Sequence, residues 1–164
     1  MSDGLDVSRL SPSDSATSFR SLARRFRRLF TGFEDDETAD ALLNRPGADG
    51  RSATLATGET GQDLAAADEA LRQTLVTDGP DVTLHTDDRD RPATPREALE
   101  LVTSGAERLA ARIDDTDADD WRRRARVDGR DMSALDLVRG AVKTTSDGYR
   151  AAERAVDEAR RALG

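Results

Sequence analysis

The chain has no cysteine, one histidine, and among its 25 basic residues only one lysine, Lys143. Without cysteine there are no disulfides, no thiolate metal sites and no thiol nucleophiles. With one histidine, no set of imidazoles is available in the chain for a metal centre or a catalytic relay. Aromatic residues make up only 4%, so a core has to be built from Leu, Val and Ala, which suit close helix packing. Long apolar runs are also missing: no stretch approaches the roughly 20 residues that span a bilayer. The opening MSDGLDVSRLSPSDSATS lacks the basic start and apolar run of a secretory signal. No Gly-rich phosphate loop, nucleophile elbow or Cys/His metal spacing occurs. A cytoplasmic protein without a cofactor is expected.

What is abundant is acid. The 33 Asp and Glu outnumber the bases and set a net charge of −8, which opposes general attraction to nucleic acid or anionic membranes. Aspartates come in runs, such as Asp87-Asp88 and Asp114-Asp115. An Asp-rich, Lys-poor surface fits a halophilic, archaeal cytoplasm, where molar salt screens charge repulsion. The arginine bias also fits an acidic protein encoded by a GC-rich bacterial genome.

At 164 residues the chain is long enough for one domain with a real core. Residues 1–14 read as a flexible arm and 15–164 as a single helical domain. In the first helical segment, about 15–33, Phe19, Leu22, Ala23, Phe26, Leu29, Phe30 and Phe33 follow the i, i+3, i+4 rhythm of one face. Ser13 or Asp14 is placed to cap it. Residues 34–51 read as a loop pinned by Leu42 and Leu43. The second segment, about 52–77, carries Leu64, Ala67, Leu71 and Leu75 on one face. Gly58 and Gly61 weaken its first half by about 1 kcal/mol each relative to alanine; they predict either a kink or a close approach of backbones. Residues 78–93 form a second loop around His85, with a short extended piece at 81–84. The third segment opens on Thr94, Pro95 and Glu97, a capping box with proline at the first helical position, and buries Leu101, Val102, Gly105, Ala106, Leu109 and Ile113. Trp121 and Val127 anchor the next connector. The last segment opens at Ser133 and carries Leu135, Val138, Val142, Thr145, Tyr149, Ala152, Val156, Ala159 and Leu163 at alternating spacings of 3 and 4, the pattern of a helix packed along a bundle at a shallow angle. Four such segments predict an all-α four-helix bundle without a substantial sheet, its long connectors leaving room for a crossover.

The order of these parts resembles the DinB-like superfamily, which includes maleylpyruvate isomerase and thiol-dependent S-transferase types. The resemblance runs from about Thr17 to Ala162: a basic amphipathic first helix, a Pro-Gly loop, a second helix ending ADEALRQTL, an acidic stretch IDDTDADDW, and VDGRDMSALDLVRGAV opening a long last helix. It implies a site where three histidines hold a divalent metal, one from the second helix and two, four residues apart, from the last. Here the matching positions fall near Gln62 or Asp63, and at Thr144 and Gly148 or Lys143 and Asp147. None is histidine, so the family's metal site is expected to be missing. Glu59, Asp63 and Asp147 offer a carboxylate replacement, although each also reads as an ordinary surface acid. Glu59, Gln62, Asp63, Thr145 and Tyr149 outline a candidate pocket between the second and last helices; as core residues, Thr145 and Tyr149 need only hydrogen-bond partners. His85 reads as a surface residue.

RSLARRFRRLF, with phenylalanines on one face and arginines on the other, is the strongest local charge feature. It reads either as a membrane- or nucleic-acid-binding helix or as a bundle helix whose arginines pair with neighbouring acids. The expectation is the structural reading: no nucleic acid, no membrane, and an unknown protein partner or a homodimer. Two functions remain in view, a non-catalytic binding or self-association module and an atypical transferase or hydrolase acting in the pocket.

Overall fold

A computed structural model describes residues 5–33, 37–85, 91, 92 and 94–163. Residues 1–4 of the arm, Asp35 and Asp36 of the first connector, and Asp87 and Asp88 lie outside the described residues. The main helices are α1 (Pro12–Leu29), α3 (Ala53–Val76), α4 (Pro95–Asp114) and α5 (Ala134–Leu163), with a short α2 (Glu37–Leu43) between the first two. Strands β1 (Asp81–Val82), β2 (Arg124–Val127) and β3 (Arg130–Ser133) form a small sheet at one end.

The helix starts follow from local chemistry. Ser11 caps α1: its hydroxyl accepts from the Asp14 amide while the Asp14 carboxylate accepts from the Ser11 amide, so two orphan donors are satisfied reciprocally. The helix therefore begins three residues before position 15, and Ser13 and Asp14 lie inside it. It also stops at Leu29, short of 33. There Arg160 of α5 donates to the carbonyls of Leu29 and Thr31 and stacks on Phe33. Thr94 accepts from the Glu97 amide at the start of α4, and Ser133 accepts from the Asp136 amide at the start of α5.

Helix α1 packs on α4 and α5, and α3 packs on the same two. Helices α1 and α3, neighbours in sequence among the long helices, thus sit across the bundle from each other, and the first connector makes the crossover. Between them lie Phe19, Phe26, Leu64, Leu71, Val102, Leu109, Val138, Val142 and Val156, all at most 2% exposed. Helix α3 runs unbroken through Gly58 and Gly61, and both glycines serve close packing. A Cβ on Gly61 would lie 2.5 Å from Leu101 Cβ and 2.9 Å from the Val102 backbone nitrogen. At Gly58 a Cβ would collide with the Pro92 ring.

Two elements depart from the sequence reading. The stretch 37–43 is a helix, held by buried Ala39 and Leu43, with half-buried Leu42 also packed against the core. The third connector folds as a β-hairpin whose turn, Asp128-Gly129, has positive φ at both residues (50° and 82°). That is the conformation Asp-Gly favours in two-residue hairpins. β1 pairs with β2 in parallel, Asp81 against Arg126 and Val82 against Val127. The sheet buries Val82, Ala125 and Val127 against the bundle beside Trp121. Among the described residues, no helix is long and apolar enough to cross a membrane.

Candidate functional site

Helices α3 and α5 run antiparallel, and their contact decides what kind of site the bundle can hold. Halfway along, Gly148 presses on Thr60 so tightly that a methyl group there would overlap the threonine hydroxyl. Thr60 donates to Ala56 O at 2.9 Å and Thr145 to Ala141 O at 2.8 Å, so both hydroxyls are satisfied by their own helices. The middle of the seam is therefore closed. Thr145, one turn before Gly148 along α5, is buried at 1% exposure.

Toward the sheet the seam opens into a pocket of about 140 Å³ lined by Asp63, Ala67, Leu84, His85, Met132, Asp136, Leu137, Gly140, Ala141 and Thr144. Gly140 leaves one side bare, with no atom within 4 Å of where its Cβ would lie. The rim is fixed by Asp128, whose carboxylate accepts from the Leu84 amide at 3.1 Å and stands 4.0 Å from His85 Nε2. The His85 ring remains largely in solvent. The volume suits a few water molecules, each occupying roughly 30 Å³ in the liquid; typical small-molecule sites start at about 300 Å³.

The five residues of the expected pocket are spread over different places. Asp63 lines this one. Glu59 pairs with Arg51 at 2.5 Å. Gln62 lies in a groove between α3 and α4. Tyr149 points to α1: its ring meets Phe26 edge-on at 5.2 Å, the Arg25 guanidinium stacks 4.1 Å from its centroid, and its hydroxyl donates to Glu153 at 3.2 Å. Burial and the Glu153 carboxylate raise the phenol's pKa. Asp147 pairs with Lys143 one turn back along α5 at 3.5 Å, so Glu59, Asp63 and Asp147 do not gather. Thr144 lines the pocket with Asp63, but the position paired with it there is Gly140, not Gly148. Among the described residues no three His, Cys, Asp or Glu side chains stand close enough to share an ion, and the three-imidazole metal centre implied by the resemblance does not fit these residues. His85, Leu84 and Met132 were not foreseen as lining residues. Only the extended piece at 81–84 hinted that this loop folds back onto the bundle.

The arginines of α1 are partly tied into the bundle: Arg20 pairs with Asp114 at 2.5 Å and Arg27 with Glu107 at 2.8 Å. Phe19, Phe26, Phe30 and Phe33 are buried. A second basic cluster, overlooked in the sequence, lies on and before the hairpin: Arg122, Arg123, Arg124, Arg126 and Arg130. Aspartates interrupt it, with Arg124 bound to Asp131 and Arg123 to Asp78 and Asp120.

The architecture has a solved counterpart. The chain superposes on YfiT from Bacillus subtilis, described as a probable metal-dependent hydrolase with an unusual four-helix bundle topology. The TM-score is 0.70 at 13% identity, over 96% of this chain and 91% of that one. The fold is therefore a four-helix bundle of the same architecture. No protein-family profile and no curated protein sequence matches the chain, so the likeness to YfiT is one of fold. In this bundle the crossover from α1 to α3 leaves α3 and α5 side by side, and the 140 Å³ pocket lies at the sheet end of their seam.

Proposed function

We propose that this DinB-like protein is a non-catalytic binding module that works by self-association or by holding a protein partner. The observation that carries the reading is the closed α3–α5 seam: Gly148 against Thr60, whose hydroxyl is satisfied by its own helix, fills the place where a catalytic cleft would open. The acids considered as replacement ligands support it too, since Glu59 and Asp147 are engaged by Arg51 and Lys143. The proposal includes a halophilic, archaeal cytoplasm, from the net charge of −8 and the nearly exclusive use of arginine as base. It includes no nucleic-acid or membrane role, because the α1 phenylalanines that would stack on bases or enter a bilayer belong to the core.

One observation favours a second reading, an atypical transferase or hydrolase: Asp63, His85, Asp136 and Thr144 border one small pocket. Elemental analysis of protein purified without chelator separates the two. The binding module carries no stoichiometric transition metal. About one metal ion per chain, lost on Asp63→Ala, overturns the proposal in favour of the enzyme.

A further inference from the structure

The outer face of α4 carries Glu97, Glu100, Leu101, Ser104, Glu107, Arg108 and Ala111, all exposed. Glu100, Ser104 and Arg108 are spaced by four and form one ridge along the helix. Many arginines of the bundle have carboxylate partners, among them Arg20, Arg27, Arg51, Arg112 and Arg124. Arg108 has no ion pair among the described residues; its guanidinium only approaches Ser104 Oγ at 3.4 Å. The Glu100 carboxylate likewise has none, and only its backbone carbonyl is engaged, by Thr103 at 3.4 Å. Beside the ridge stands Leu101, which the helical period places in the core but which is 39% exposed, one of few large apolar side chains left in solvent. It borders an open groove of about 790 Å³ between α3 and α4, floored by Gly61, Ala65 and Gly105.

A ridge that reads acid, small, base along a helix is complementary to itself when reversed. In the commonest class of helix packing, ridges of residues four apart from two helices lie side by side, crossing at about −50°. If the second helix is an antiparallel copy centred on the same serine, each acid faces the other copy's base. We propose that this face of α4 is a homodimer interface, with two copies related by a twofold axis beside Ser104 so that Glu100 of each copy pairs with Arg108 of the other. Isologous interfaces require this reciprocity. The small Ser104 and Gly105 let the backbones approach, and Leu101 of each copy leaves water. Two chains of net charge −8 repel at long range, and alternating sign along the ridge offsets that repulsion at the contact. The proposal deepens the self-association reading and rests on it.

The test is a charge swap followed by sedimentation equilibrium on the full chain. It is run at the lowest salt that preserves the helical dichroism spectrum, over about 10 µM to 1 mM, the range suited to a small interface. The wild type is expected to dimerise. Glu100→Arg and Arg108→Glu each replace both symmetric pairs by like-charge contacts, raising the dissociation constant by about tenfold. The double variant rebuilds both pairs reversed and returns to the wild-type value. The two single variants move the net charge in opposite directions and the double leaves it unchanged, so parallel weakening by both cannot come from net charge. A wild type that stays monomeric throughout overturns both this interface and self-association. A dimer indifferent to the single reversals, or weakened by them without rescue, overturns the α4 interface and leaves self-association standing elsewhere on the molecule.

Discussion

Replacing Gly61 by alanine tests whether α3 and α4 are as close as the fold requires. In isolation the change favours the helix, since alanine is about 1 kcal/mol better than glycine in a helix interior. Here the new methyl would sit 2.5 Å from Leu101 Cβ and 2.9 Å from both the Leu101 carbonyl carbon and the Val102 nitrogen. Two of those atoms are backbone, so no rotamer change relieves the contact and α4 itself must shift. Overpacking costs about 1–3 kcal/mol, and a clash with backbone belongs at the upper end. The expected balance for Gly61→Ala is a loss of about 2 kcal/mol. Gly140→Ala in α5 is the control, because nothing lies within 4 Å of its Cβ position. It should keep the full propensity gain of about 1 kcal/mol. Urea unfolding followed by helical dichroism resolves a difference of about 3 kcal/mol between the two variants, equivalent to a split in Tm of about 6–12 °C for a chain of this size. If both variants gain stability equally, the close approach of α3 to α4 is refuted.

Arg112→Ala is expected to cost about 3 kcal/mol in denaturant titrations, because it strands the Asp68 carboxylate, whose side chain is only 9% exposed. Arg27→Ala, at an exposed pair with Glu107, should cost under about 1 kcal/mol by the same measurement. The single tyrosine can be titrated by the absorbance of tyrosinate. Burial, and then Glu153, should place its midpoint above the ordinary 10.0. The stability this group contributes is complete below the unfolded value and is lost as pH rises through the folded one, and a midpoint at or below 10.0 would contradict the buried setting. Melting temperature should rise with potassium chloride toward molar concentrations as aspartate repulsion is screened; a flat or falling curve would count against the halophilic assignment.

The bundle was legible because each long helix carries its buried stripe over several turns. The 3, 4 alternation from Leu135 to Ala159 in α5 and the Thr94 cap of α4 needed no tertiary information. Helix α2 was not legible: seven residues hold too few apolar positions to establish a period, and its stability comes from docking Ala39 and Leu43. The hairpin had a local signal, Asp128-Gly129 between short alternating runs, but reading VDGRD as the entry to α5 hid it. The pocket was least legible, because the phase of each helix decides which residues converge. Tyr149 and Thr145 share one stripe, yet the Tyr149 ring meets Phe26 of α1 while the Thr145 hydroxyl bonds only to carbonyls of its own helix. His85 reaches the pocket rim only because β1 pairs with β2, a contact between residues 45 apart in sequence.

The crossover from α1 to α3 bears on how the chain is made. Helix α1 buries Phe19, Leu22 and Phe26 against helices that begin at Pro95 and Ala134. As the polypeptide leaves the ribosome, the first helix therefore has no long partner until the fourth emerges, and its surroundings are incomplete until the end of the last. At bacterial-type rates of about 5–20 residues per second, the wait from Leu29 to Leu163 is on the order of ten seconds. During that interval the most aromatic segment of the protein stands exposed in the nascent chain. Its other face carries arginines, of which Arg20 and Arg27 meet Asp114 and Glu107 in the finished bundle, and a face of like charges favours water over self-association.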